Sequence, residues 1–251
     1  MCFELDSTPP VPPISGAAVE HERLTLTAAD GTDFAAFLAV PETPRPAGIV
    51  VLPDVRGLYR FYEELALRFA ERGYTAIAVD YFGRSAGVGS RDDEFPFMDH
   101  VAQLDAEHPQ MDTAAAVAAL RARGVDSVFT VGFCLGGRIS WLAAASGHGL
   151  AGAVGFYGGP GDREGWIGPT TRASEITAPI LALQAGDDQN ITAELNAAFD
   201  EALTAAGVEH EVVTYDGAPH SFFDRKQEDF QEASEDAWRR TLEFVERHSQ
   251  S

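Results

Sequence analysis

Val128-Phe129-Thr130-Val131-Gly132-Phe133-Cys134-Leu135-Gly136-Gly137 is the stretch on which the reading of this chain turns. Its first four residues are β-branched or aromatic, as a strand prefers, and a helical pattern follows over 138–145. Between the two stands Gly-x-Cys-x-Gly, a sharp strand-to-helix turn that carries a thiol at its tip. Glycine is needed on either side, because side chains at Gly132 and Gly136 would collide with the adjoining strand and helix.

Outward from this turn, apolar period and turn residues set the rest. Toward the N-terminus, the spacing predicts helices over 113–122 and 97–104, a loop over 81–95, and a strand over 74–79. Before these come a helix over 61–72, closed by Gly73, and a continuous apolar run at 47–52 of the kind buried on both faces of a parallel sheet. Alternating segments at 22–28 and 34–40, joined through Asp30-Gly31, read as an antiparallel pair. Residues 1–19, with Pro9, Pro10, Pro12 and Pro13, read as an extended arm.

Toward the C-terminus, helix 135–146, strand 150–156, loop 157–178, strand 179–185, helix 193–206, strand 210–216 and helix 228–247 follow. Strands separated by helices of this length need crossover connections, so the fold class is α/β: a mostly parallel sheet, helices on both faces, and an antiparallel N-terminal pair. Residues 20–251 are expected to form one domain.

Composition narrows the function. The 251 residues are 45% apolar and carry a formal charge of -21, a balance that repels polyphosphate and makes nucleic acid and anionic membranes poor partners. Cys2 and Cys134 are too few for a disulfide framework, which suggests a reducing compartment. Residues 1–6 have neither the basic nor the apolar region of a signal peptide, and no run reaches the roughly 18 apolar residues of a membrane span. A cytoplasmic protein is expected. No residue pattern specifies an oligomeric state.

Ligand sites in parallel sheets lie beyond the carboxyl ends of the strands. A thiol nucleophile needs a base, and the base needs an acid to hold its tautomer. Asp187 and Asp188 follow strand 179–185, and His220 follows strand 210–216 in a Gly-x-Pro-His-Ser-Phe turn. The other histidines lie in strands or in or beside helices. The chain order is therefore nucleophile, acid, histidine. Asp187, Asp188 and His220 lack a second histidine or cysteine at ligand spacing, so neither metal nor organic cofactor is expected.

With these residues in view, the sequence resembles the dienelactone hydrolase family of α/β-hydrolases. The likeness runs from about residue 24 to 247. It lies in 132–137, in Leu52-Pro53-Asp54-Val55-Arg56-Gly57, in Asp80-Tyr81-Phe82-Gly83-Arg84 and in Gly217-Ala218-Pro219-His220-Ser221-Phe222. The resemblance implies a Cys-His-Asp triad acting on a small lactone or ester through an acyl-thioester, with Cys134 as nucleophile and His220 as base and later acid. It favours Asp188 over Asp187 as the acid, because a short turn ending in apolar Ile191 follows it. Backbone N–H groups of Val55 and Leu135 would form the oxyanion hole.

The same resemblance assigns Arg84 to a substrate carboxylate, which a forked cation suits. An ion pair with Asp80 or Asp92 is the alternative for Arg84. Asp54 stands where the family places a glutamate near the thiol, and Arg225 is the candidate for a second substrate arginine. Tyr157 and Ser221 complete the expected substrate contacts. Two other functions fit the pattern: a broad thiol-dependent carboxylesterase or thioesterase, and a redox-responsive or regulatory binding protein with Cys134 as an oxidisable thiol.

Overall fold

The computed structural model describes residues 7–89, 91, 94–163, 165–223 and 229–249. Eight strands, β1 (Val19–Thr27), β2 (Asp33–Pro41), β3 (Ala47–Leu52), β4 (Thr75–Val79), β5 (Ser127–Phe133), β6 (Gly152–Phe156), β7 (Ile180–Asp187) and β8 (His210–Pro219), form one sheet in the order β1-β2-β4-β3-β5-β6-β7-β8. β1 pairs antiparallel with β2, and β2 with β4; every later pairing is parallel. This is the mixed, mostly parallel α/β arrangement that the sequence predicts. β1 and β8 are the two edges.

Helices α1 (Arg60–Ala70), α2 (Gly83–Ala86), α3 (Phe97–Val101), α4 (His108–Arg121), α5 (Leu135–Ala144), α6 (Ala193–Ala206) and α7 (Gln231–His248) complete the described elements, with a short 3-10 turn at Ala173–Glu175. The period of two divides β3 between two cores. Ile49 and Val51 join Phe61 and Leu65 of α1 and Trp238 and Phe244 of α7, whereas Val50 and Leu52 join Val117 of α4, Ile139 of α5 and Phe199 of α6. Burial on both faces explains why 47–52 reads as uninterrupted apolar sequence. No helix among the described residues is long and apolar enough to cross a membrane.

Several boundaries differ from the sequence reading. α4 begins at His108, ahead of the predicted 113, because the Asp105 carboxylate accepts the Glu107 and His108 N–H groups and Pro109 occupies the first turn, where its missing N–H costs nothing. The loop over 81–95 contains the single turn of α2, and β8 runs to Pro219 rather than ending at 216. Within the proline-rich arm, Val11 is buried in the α1/α7 core. Cys2, Asp92 and Arg225 lie outside the described residues.

Candidate active site

β5 delivers Cys134 in a left-handed backbone conformation, φ 55 and ψ -112, immediately before α5. Neither flanking glycine could be replaced. A Cβ at Gly132 would lie 1.9 Å from the Gly136 carbonyl oxygen, and one at Gly136 would lie 2.0 Å from the Leu52 oxygen. The second approach also presses the first turn of α5 against the end of β3. The Leu135 N–H is among those that a helix start leaves without an intrahelical partner. Cys134 donates its own N–H to the Phe156 oxygen at 3.0 Å, is half-buried, and forms no disulfide among the described residues.

Beyond β7 the adjacent aspartates part company. Asp187 is exposed and accepts a hydrogen bond from Gln189. Asp188 is buried: its Oδ1 accepts the N–H groups of Asn190 at 2.9 Å and Ile191 at 3.1 Å, and its Oδ2 lies 2.6 Å from His220 Nδ1. An ionised carboxylate can only accept, so the imidazole carries a proton on Nδ1. Burial alone would raise the Asp188 pKa. The hydrogen bonds from His220, Asn190 and Ile191 outweigh it and hold the carboxyl below its ordinary value.

Around His220 the backbone is strained. Tyr157, at φ 37, is fully buried with its ring 5.0 Å from the imidazole, and Ser221, at φ 66, is buried with its hydroxyl unpartnered among the described residues. Non-glycine residues at positive φ cost about 1–3 kcal/mol each and concentrate at functional sites. Here three of them, Cys134, Tyr157 and Ser221, occupy the ends of β5, β6 and β8. Tyr157 therefore packs as a buried wall beside His220.

The segment bearing Val55 is fixed from below. Asp54 is fully buried, and its Oδ1 accepts the Arg56 N–H at 2.8 Å. The Tyr81 hydroxyl donates to the Pro53 carbonyl at 3.1 Å, and Asp80 accepts the N–H groups of Leu58 and Phe82 while pairing with Arg91 at 2.8 Å. Tyr81 and Arg91 are positioning residues that sequence reasoning left without a role, and Asp80, expected as a partner of Arg84, pairs with Arg91 instead. The acid and tyrosine end β4, but the arginine comes from a segment with no periodic signal.

Arg84 makes the expected kind of ion pair with different partners. Its Nε lies 2.8 Å from Asp30, and its Nη1 lies 2.9 Å from both oxygens of Asp112, a fully buried residue of α4. Burial pushes the Asp112 carboxyl up to about 7 even against the pull of Arg84. A second unforeseen residue, Arg138 in the first turns of α5, donates to the carbonyls of Gly159, Gly161 and Trp166 and so ties the loop after β6 to the elbow helix. Among the described residues no three His, Cys, Asp or Glu side chains cluster in a way that could hold a metal ion.

Known proteins resemble this chain in sequence and fold. The model of the dienelactone hydrolase family matches residues 34–249. A carboxymethylenebutenolidase of Rhodococcus opacus is 32% identical over 262 residues, spanning 99% of this chain and 97% of that protein. Among solved structures, a Klebsiella pneumoniae protein assigned as a dienelactone hydrolase superposes with a TM-score of 0.79 at 26% identity, covering 91% of this chain and 98% of the other. A dienelactone-hydrolase-like promiscuous phosphotriesterase from metagenomic libraries does so at 0.74 and 25%, covering 92% and 99%.

Proposed function

The chain belongs to the dienelactone hydrolase family, and from that premise we propose that it cleaves a small lactone or ester through Cys134, His220 and Asp188 by way of an acyl-thioester. It is a carboxylic ester hydrolase on an α/β-hydrolase fold. The observation that carries the residue assignment is the 2.6 Å contact between Asp188 and His220 at the ends of neighbouring strands, on the side of the sheet edge where the elbow presents its thiol.

The chemistry runs in two halves. His220 Nε2 takes the Cys134 proton, and the sulfur attacks the carbonyl carbon. The carbonyl oxygen gains negative charge, which the N–H groups of Val55 and Leu135 stabilise; each such donor contributes about 3 kcal/mol. The C–O bond then breaks, and the alkoxide or enolate leaves with the proton from His220. In a lactone the leaving oxygen stays attached to the acyl chain. Water, deprotonated by His220, next attacks the thioester; carboxylate departs and the sulfur recovers its proton. Throughout, Asp188 stabilises the imidazolium without taking its proton.

The decisive measurement is steady-state hydrolysis of small aryl esters and enol lactones, with mass spectrometry of the acylated protein. Cys134→Ala should lower kcat at least about a thousandfold and abolish the acyl adduct. Full activity in Cys134→Ala would overturn the mechanism.

A further inference from the structure

Arg138 is a buried cation in an unfavourable place. It lies one turn into α5, its N–H donating to the Cys134 carbonyl at 3.3 Å, where a helix start already carries positive charge. Instead of a carboxylate, its guanidinium meets three backbone carbonyls among the described residues. Nη1 donates to Gly159 at 2.9 Å and to Gly161, and Nη2 donates to Trp166 at 3.3 Å. Burial, and then the charge of Arg163, push its pKa down to about 10. Asp162, the acid that pulls the other way, spends its oxygens on the Gly168 N–H and the Thr171 hydroxyl. A cation so placed costs stability, and what it secures in return is the turn after β6.

That turn begins at Tyr157. Its N–H donates to the Leu183 carbonyl of β7 at 2.8 Å, and the next carbonyl, that of Gly158, accepts Gln184 Nε2 at 3.1 Å. Gln184 also donates to Asn196 of α6 at 2.8 Å. With the Gly159 and Gly161 carbonyls on Arg138, the turn is gripped by β7 on one side and by the elbow helix on the other. A non-glycine residue at positive φ persists only where its surroundings over-determine it, and this grip surrounds Tyr157 at φ 37. The ring so aimed lies 5.0 Å from that of His220, whose Nδ1 is 2.6 Å from Asp188. An aromatic wall and a hydrogen bond thus both restrain the imidazole.

We propose that Arg138 is a positioning residue for the reaction: through the carbonyls of Gly159 and Gly161 it keeps Tyr157 in its strained conformation, and Tyr157 in turn keeps the His220 ring in line. This rests on the thiol-hydrolase reading above and adds to it a residue that acts through two others.

The test is a double-mutant cycle on hydrolysis of p-nitrophenyl acetate at pH 8, with kcat referred to the folded fraction measured by circular dichroism. Arg138→Met should lower kcat by about ten- to a hundredfold and leave KM within about threefold, the scale of loss expected when a reacting group is displaced by about an ångström. In a Tyr157→Leu background the same replacement should cost less than about twofold, because the path through the ring is already cut. Equal losses in the two backgrounds overturn the proposal, as does wild-type kcat in Arg138→Met. Should either variant fail to fold, Arg138→Lys, which keeps the charge but not the planar fork, is read by proton nuclear magnetic resonance. The His220 Cε1–H signal, displaced in the wild type by the ring current of Tyr157, should then move, and an unmoved signal overturns the proposal. Absence of hydrolysis by the wild type, or hydrolysis undiminished in Cys134→Ala, would instead overturn the hydrolase reading, while the resonance still tests the placement of the ring.

Discussion

At the scale of single residues, Asp188 distinguishes holding a base from being one. In the proposed triad its carboxylate would fix the tautomer of His220 and offset the charge the ring acquires. Asp188→Asn should keep the loop intact, since an amide oxygen still accepts the N–H groups of Asn190 and Ile191, yet lower kcat by about a hundred- to ten-thousandfold with little change in KM. The variant also has a pH signature. The folded pKa of Asp188 is depressed, so its contribution to stability is present above the ordinary carboxylate value and is lost as pH falls through the lower folded value. Asp188→Asn should flatten the acid limb of the unfolding curve. The thiol and histidine were legible in the sequence because glycines and a His-Ser-Phe turn mark their strand ends. Asp188 was preferred to Asp187 from the short turn ending at Ile191; the N–H groups of Asn190 and Ile191 that the folded turn aims at it were not legible.

At the scale of elements, the ion pairs around Arg84 join parts that are remote in sequence. Asp30 is 54 positions away and Asp112 is 28, which is why sequence proximity suggested Asp80 or Asp92 instead. Their titration has the opposite sign from that of Asp188. Burial raises Asp112 to about 7, so the neutral acid is the form the fold favours; the associated stability is full below the ordinary carboxylate pKa and is lost as pH rises toward about 7. Asp112→Asn should therefore remove part of the fall in chemical-denaturation midpoint between about pH 4 and 7, and an unchanged slope would count against the assignment. Helices with ordinary punctuation were read well. α6 starts at Thr192, whose hydroxyl accepts the Leu195 N–H, and ends at Gly207 with φ 71. α4 starts five residues ahead of the expected 113, with Pro109 in its first turn, where proline is well suited.

At the scale of the whole molecule, alternation and crossover length identified the layers, but not the order in which the strands lie. β3 sits between β4 and β5, so the turn after Leu52 and the turn at Cys134 meet at the centre of the sheet through residues far apart in the chain. The histidine comes from elsewhere. It ends β8, a margin strand whose described ladder is to β7 alone and slips register between Ala185 and Asp187. Edge segments open at lower free-energy cost than central ones. Heating should therefore silence turnover a few degrees before the far-ultraviolet dichroism melts, and amides of β8 should exchange with deuterium ahead of those of β5; coincident curves would refute this. The nucleophile would then be the most durable part of the apparatus and its proton carrier the most perishable. An attempt to extend the working life of the catalyst should begin by bracing the outermost ribbon rather than the middle.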